Sequence, residues 1–283
     1  MSIVVTGATG HLGRHVVEQL LEKVPADQIT AVVRDAEKAS GFAARGVKIA
    51  VADYNEPGTF DGVIAAGDKV LLISGNEFDK GRVGQHQVVI DAAKAADAAL
   101  LAYTSAPGSL SAALADDHRG TEAAILASGV TYSLLRNGWY NENYTEQLPV
   151  ALEHGVTQAA GEGRVASASR ADYAAAAVAV LTGEGHENST YELSGDTNWS
   201  FAEYAAEVSK QSGKDVAYNA VSVEVFTGIL AGVGLPEALA GILAGVDASI
   251  EKGELAGTPG DLSRLTGRPT TPIAESIAAA LKA

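Results

Sequence analysis

The chain has 283 residues, 47% of them apolar, with 35 acidic against 20 basic side chains and a formal charge of −15. At about 150 residues per domain, this length suits two domains or one large α/β unit with an appendage, and such a chain buries about three quarters of its unfolded surface. The acidic balance argues against nucleic acid or an anionic membrane as partner, and the lack of cysteine excludes disulfides, thiol catalysis, iron–sulfur clusters and cysteine–zinc sites.

Short β-branched and apolar runs predict strands over 3–6, 29–33, 48–52, 69–73, 99–104 and 132–135. Between them, helical spacing predicts helices over 11–23 (Leu12, Val16, Val17, Leu20 and Leu21 on one stripe), 36–44, 57–66, 83–96 and 110–128. Wholly apolar strands separated by helices mean a parallel sheet covered on both faces, and right-handed crossovers make it doubly wound. Beyond about residue 140 the strands thin out to 164–166, 190–193 and 216–218, and helices dominate at 170–181, 200–211, 223–231, 236–252 and 272–281. The expected fold class is therefore α/β: a doubly wound parallel sheet over 1–140 with a smaller, mainly helical cap over 141–283, packed on it without a clean linker. Apolar runs such as 174–181 are far short of the ~20 residues that span a bilayer. With no basic segment before an apolar one at the start, no leader is expected and the expected location is cytoplasmic.

Thr6-Gly7-Ala8-Thr9-Gly10-His11-Leu12-Gly13 follows the first strand and opens the first helix, with glycine spaced G-x-x-G-x-x-G. Gly7 permits a tight turn, Gly10 a close backbone approach to a pyrophosphate, and Gly13 close helix–strand packing, while the helix N-terminus offers N–H groups to the anion. In strand–turn–helix context this predicts a Rossmann-type dinucleotide site formed by Gly7, Thr9, Gly10, His11, Leu12 and Gly13. Arg34 ends the second strand, where an arginine suits the 2′-phosphate of NADP(H); NAD(H) is the weaker alternative, kept open by the adjacent Asp35, which would repel a phosphate if it faced inward. Asp53, after the third strand, is a candidate for the adenine amino group or simply a turn-forming residue. Ligands in such sheets bind outside the carboxyl ends of the strands. There the fourth strand brings Ser74, Gly75 and Asn76, the fifth Tyr103 and Thr104, and the sixth Arg136 and Asn137, followed by Trp139, Tyr140 and Asn143. A glycine beside amide and aromatic side chains suits a flat nicotinamide and a flat substrate.

These segments, together with Ala52-Asp53-Tyr54, Ser169-Arg170-Ala171-Asp172-Tyr173 and Leu262-Ser263-Arg264-Leu265-Thr266-Gly267, resemble the NmrA-like group of atypical short-chain dehydrogenases. Within it the likeness is to bacterial type 2 NAD(P)H:quinone oxidoreductases and triphenylmethane reductases, and it runs nearly end to end. The glycine turn is shared by a far wider superfamily; Arg136-Asn137-Gly138-Trp139-Tyr140 is more selective. The resemblance implies NADPH-dependent hydride transfer to a quinone or similar planar aromatic acceptor, with Asn137 and Tyr140 at the reacting centre and Trp139, Tyr140 and Asn143 on the acceptor. A non-catalytic NAD(P)-sensing regulator of the NmrA type is the alternative.

Alcohol-directed short-chain dehydrogenases carry Tyr-x-x-x-Lys on the helix after the fifth strand. Here His118 and Glu122 stand in those places. Quinone reduction makes a delocalised, weakly basic anion and needs that acid–base pair less. His118 is a candidate proton donor; the plainer expectation is an i, i+4 pair with Glu122. No metal is expected, since that pair lacks a third ligand. Leu230, Val233, Leu235, Leu239, Ile242 and Leu243 read first as core packing, with a substrate wall or a homodimer contact as further uses.

Overall fold

A computed structural model describes residues 2–75 and 81–282. In chain order the elements are β1 (Ile3–Val5), α1 (His11–Leu20), β2 (Ile29–Val33), α2 (Ser40–Ala43), β3 (Lys48–Val51), β4 (Lys69–Leu72), α3 (Arg82–Ala95), β5 (Leu100–Ser105), α4 (Leu114–Ser128) and β6 (Tyr132–Asn137). There follow α5 (Glu142–Thr145), α6 (Leu148–His154), β7 (Val156–Gln158), β8 (Arg164–Val165), α7 (Arg170–Thr182), β9 (Ser189–Leu193), β10 (Trp199–Ser200), α8 (Phe201–Ser212) and β11 (Tyr218–Ala220). The last helices are α9 (Val223–Gly232), α10 (Glu237–Glu251), α11 (Asp261–Thr266) and α12 (Ile273–Ala280). No described helix is long and apolar enough to cross a membrane.

The chain forms two compact units: Met1–Ala106 with Asp117–Asn137 and Arg170–Tyr191, and Pro107–Asp116 with Gly138–Ser169 and Glu192–Ala283. The expected division fell at residue 140. The first unit instead takes back α7, because α7 packs along α1 and is pinned there by Gln19, whose Nε2 donates to the Ala171 carbonyl at 2.9 Å. Lys69 Nζ donates to the Gly183 carbonyl at the far end of α7, at 2.7 Å.

The seven-stranded sheet runs β3-β2-β1-β4-β5-β6-β9, and the pairings from β3 through to β6 are all parallel. Central strands are buried on both faces, β5 over all six residues, which is why they read as unbroken apolar runs. Edge strand β3 is half-exposed and carries Lys48. The chain proceeds outward from β1 to β3, then crosses to β4 on the other side of β1. The reversal between β1 and β4 is the switch point where such sheets open a crevice at their carboxyl ends.

The expected helix over 57–66 is only a 3₁₀ turn, Pro57–Phe60, which Asp61 leaves in extended backbone; Gly62, at positive φ, follows directly. The helix expected from 110 starts at Leu114. In the second unit, β8 pairs antiparallel with β10 and β7 parallel with β11. Tyr144, Trp199 and Phe201 pack edge-to-face with one another and Tyr204 tilts against Trp199, and a capping box between Ser200 and Glu203 starts α8.

Candidate active site

At the end of β1, Gly7 sits at φ +60°, the left-handed region glycine enters without penalty. The Gly10 N–H donates back to the Gly7 carbonyl at 2.9 Å. Gly10 caps α1 with extended backbone, no side chain caps the helix, and its first turn holds no acid. The N-terminal N–H groups and the positive end of the helix dipole are thus left to an anion. A Cβ on Gly13 would stand 2.3 Å from the Gly7 oxygen and 2.8 Å from the Ala8 Cα. Arg14 folds back on the turn, its Nε donating to the Thr9 carbonyl at 2.8 Å. Leu12 is buried, whereas His11 is exposed and Thr9 half-buried.

Arg34 is exposed just beyond β2. Asp35 beside it turns its carboxylate onto the Glu37 N–H at 2.9 Å. Asp53 accepts from the Asn55 N–H at 2.8 Å and from Asn55 Nδ2 at 2.9 Å, so the turn-forming use is the one seen. Next to it is Tyr54, which sequence reading had given no role of its own. Its hydroxyl reaches Thr6 Oγ1 at 2.5 Å and the Ile73 carbonyl at 2.9 Å, tying the ends of β1 and β4 together at the switch point. Burial pushes this phenol well above its ordinary pKa.

The ends of β4 and β5 are joined by the Ser74 N–H, which donates to Thr104 Oγ1 at 2.8 Å. The Gly75 N–H donates to His86 Nε2 at 3.0 Å. Asn76 lies outside the described residues. Tyr103 is fully buried, with its hydroxyl 2.8 Å from His118 Nδ1; Nε2 of that ring faces Arg82 Nη1 at 3.2 Å. Arg136 forms a bidentate pair with Glu122 at 2.9 and 2.7 Å, and Ser105 Oγ donates to the same carboxylate at 2.6 Å. Tyr103 and Arg136 are thus both tied to side chains of α4. Asn137, buried at the end of β6, keeps its Oδ1 without a hydrogen-bond partner among the described residues. Such an atom is costly unless a ligand donor reaches it.

His118 does not pair with Glu122, whose carboxylate is taken by Arg136 and Ser105. Burial, reinforced by the Arg82 charge, pushes the His118 imidazole down to about 3. With both ring nitrogens engaged and no imidazolium at neutral pH, its place in the structure is that of a neutral hydrogen-bonding group. The profile of kcat/KM between pH 5.5 and 8 should accordingly contain no inflection that the substitution His118→Asn removes; a lost inflection would restore the proton-donor role.

In the second unit, Trp139 and Tyr140 are half-buried and held by backbone: the Ala168 N–H donates to the Trp139 carbonyl at 3.1 Å, and Tyr140 forms a bridge with Ala168. Buried Asn141, between Tyr140 and Asn143, staples this segment. Its Nδ2 donates to the Thr271 carbonyl and Ser276 Oγ, and its Oδ1 accepts from Ser167 Oγ. Asn143, half-buried, follows one turn on. Trp139 walls a cavity of about 260 Å³ with Pro107, Leu193, Leu255, Glu192 and Glu254.

The model of an NAD(P)H-binding family matches residues 7–184, more than half of the chain. Quinone oxidoreductase 2 of Escherichia coli is 48% identical over 278 residues, covering 97% of both chains. The solved NADPH-dependent quinone oxidoreductase of E. coli, complexed with NADPH, superposes with a TM-score of 0.95 at 46% identity over 99% of both chains. Triphenylmethane reductase of Citrobacter sp., complexed with NADP(H), gives 0.93 at 41% identity over 99% of this chain and 100% of that one. With the glycine turn on a β3-β2-β1-β4-β5-β6-β9 sheet, these likenesses identify the chain as a member of the NAD(P)H-binding family, in its NmrA-like reductase branch.

Proposed function

We propose that this protein is an NADPH-dependent reductase that delivers hydride to a quinone or a similar planar aromatic acceptor. One observation carries the cofactor half: α1 opens with no capping side chain and no acid, over a turn that admits no Cβ at Gly13. The orphaned Asn137 Oδ1 adds a second point of fit, at the far side of the same strand ends.

NADPH, when bound, supplies the hydride from its nicotinamide C4. Gly7, Thr9, Gly10, His11, Leu12 and Gly13 hold the pyrophosphate, and Arg34 meets the 2′-phosphate. Asp53 shapes the turn on the adenine side. Ser74, Gly75, Thr104 and Asn137 border the nicotinamide, Asn137 Oδ1 accepting from a ligand N–H or O–H. Trp139, Tyr140 and Asn143 take the acceptor. The protein's contribution is proximity and orientation. The hydroquinone anion, delocalised and weakly basic, takes its proton from water, so the neutral His118 is not needed as an acid. The proposed location is the cytoplasm.

Consumption of NADPH followed at its near-UV absorbance tests the proposal. A rate that depends on added 1,4-benzoquinone is expected. Tight NADPH binding with no turnover across quinones and cationic dyes would instead favour a sensor. Arg34→Ala is expected to weaken NADPH about 30-fold, the worth of a charge-assisted phosphate contact, and NADH less than about 3-fold. Equal losses for the two cofactors, measured by fluorescence titration, would remove the 2′-phosphate from Arg34.

A further inference from the structure

We propose that His86, on α3, is a positioning residue for the cofactor: it orients the Ser74–Gly75 peptide at the end of β4 through a one-directional hydrogen-bond chain anchored in α4. This rests on the reductase reading above and names a residue to which the sequence assigned no chemistry.

The chain has a single consistent polarity. Thr121 Oγ1 donates to the Asp117 carbonyl at 2.9 Å, so its proton is committed. His86 Nδ1, 2.8 Å from that oxygen, must then be the donor. Nε2 is left with its lone pair, and the Gly75 N–H donates to it at 3.0 Å. Protonation or the other tautomer would set two N–H groups against each other at Gly75. Burial, with the Arg82 charge, pushes the ring down to about 3 and keeps it neutral. The ring is wholly buried and clamped edge-on between Tyr54 and Tyr103, centroids 6.1 and 5.3 Å away.

Both amides flanking Ser74 are thereby spent inward, one on Thr104 and one on His86. The peptide is trans, so the Ser74 carbonyl points opposite the Gly75 N–H, away from α3. An acceptor oxygen held there at the switch point suits a ligand donor such as a ribose hydroxyl or a carboxamide N–H. A Cβ on Gly75 would come within 3.3 Å of Gln85 Oε1, so the segment already lies close against α3.

Two near-isosteres separate the ends of the chain. Gln at 86 puts an amide oxygen where Nε2 stands and keeps the acceptor for Gly75; Asn puts its amide at Nδ1 and keeps only the Thr121 side. His86→Gln should bind NADPH within about 3-fold of the parent and His86→Asn about tenfold more weakly, by fluorescence titration, with similar unfolding temperatures for the two cofactor-free variants. Equal weakening, or none in either, would overturn the positioning role. A long-range ¹⁵N–¹H spectrum of the unmodified protein, which needs no variant to fold, should show a protonated Nδ1 and bare Nε2 at His86; the reverse would also overturn it. If the unmodified protein failed to bind NADPH at all, the reductase reading would fall and this inference with it.

Discussion

Gly13→Ala should lose dinucleotide affinity by two orders of magnitude and stability by about 2 kcal/mol. The added Cβ would stand 2.3 Å from the Gly7 oxygen and 2.8 Å from the Ala8 Cα. Both neighbours are backbone, so no side chain can swing aside. Relief requires α1 to shift off the turn, and overpacking of this kind costs about 1–3 kcal/mol. The shift also carries away the N-terminal N–H groups that would meet the pyrophosphate; losing two charge-assisted bonds at about 1.5 kcal/mol each gives on the order of 100-fold. Gly10→Ala is the control. Gly10 has an extended backbone that any residue adopts, and its Cβ would lie 3.1 Å from the Gly7 oxygen, a contact a few tenths of an ångström relieves. It should fold nearly as well as the parent while losing affinity, since its Cβ stands where the phosphate approaches. NADPH titration and urea unfolding of both variants check this. A Gly13→Ala protein with parental affinity would show that the turn does not hold the phosphates.

The switch point was legible because its parts are local in sequence. β1, the glycine turn and α1 are contiguous, and strands buried on both faces announce themselves as apolar runs. The sixth strand ends in Arg136 and Asn137 where expected, yet only the three-dimensional neighbours tell the two apart. Arg136 is consumed by Glu122, whereas Asn137 holds an orphaned oxygen. The same limit hid Tyr54 and His86, whose roles depend on contacts from residues 19 and 11 positions away. It also misdirected His118: spacing brought Glu122 within helical reach, but Tyr103 and Arg82, from other elements, claimed the ring. In the second unit, α5, α6, β7, β10 and α11 escaped notice because each is too short to develop a periodic pattern. Alanine-rich α7 looked like part of the cap. Its small side chains instead suit close packing on α1, a preference that composition shows but whose partner it does not.

Asp247→Asn should stabilise the protein at pH 8 by about 2–4 kcal/mol and leave it unchanged at pH 4. Asp247 lies on α10, 6% exposed, and its Oδ2 accepts the Ala159 N–H at 2.7 Å. Burial, opposed only by that hydrogen bond, pushes the carboxyl up to about 7, against about 3.9 in an unfolded chain. Between these values the folded state binds the extra proton, so stability falls as pH rises from about 4 to 7 and stays low above. Three units at 1.36 kcal/mol each set the ceiling near 4 kcal/mol. Asparagine keeps an acceptor for Ala159 without the charge. The overall charge of −15 adds its own pH dependence, but it is nearly common to both proteins and cancels in their difference. Urea unfolding at pH 4, 6 and 8 should therefore give two stability curves that meet at low pH and diverge through neutrality. Curves that stay parallel would mean that Asp247 is already ionised without penalty in the folded state.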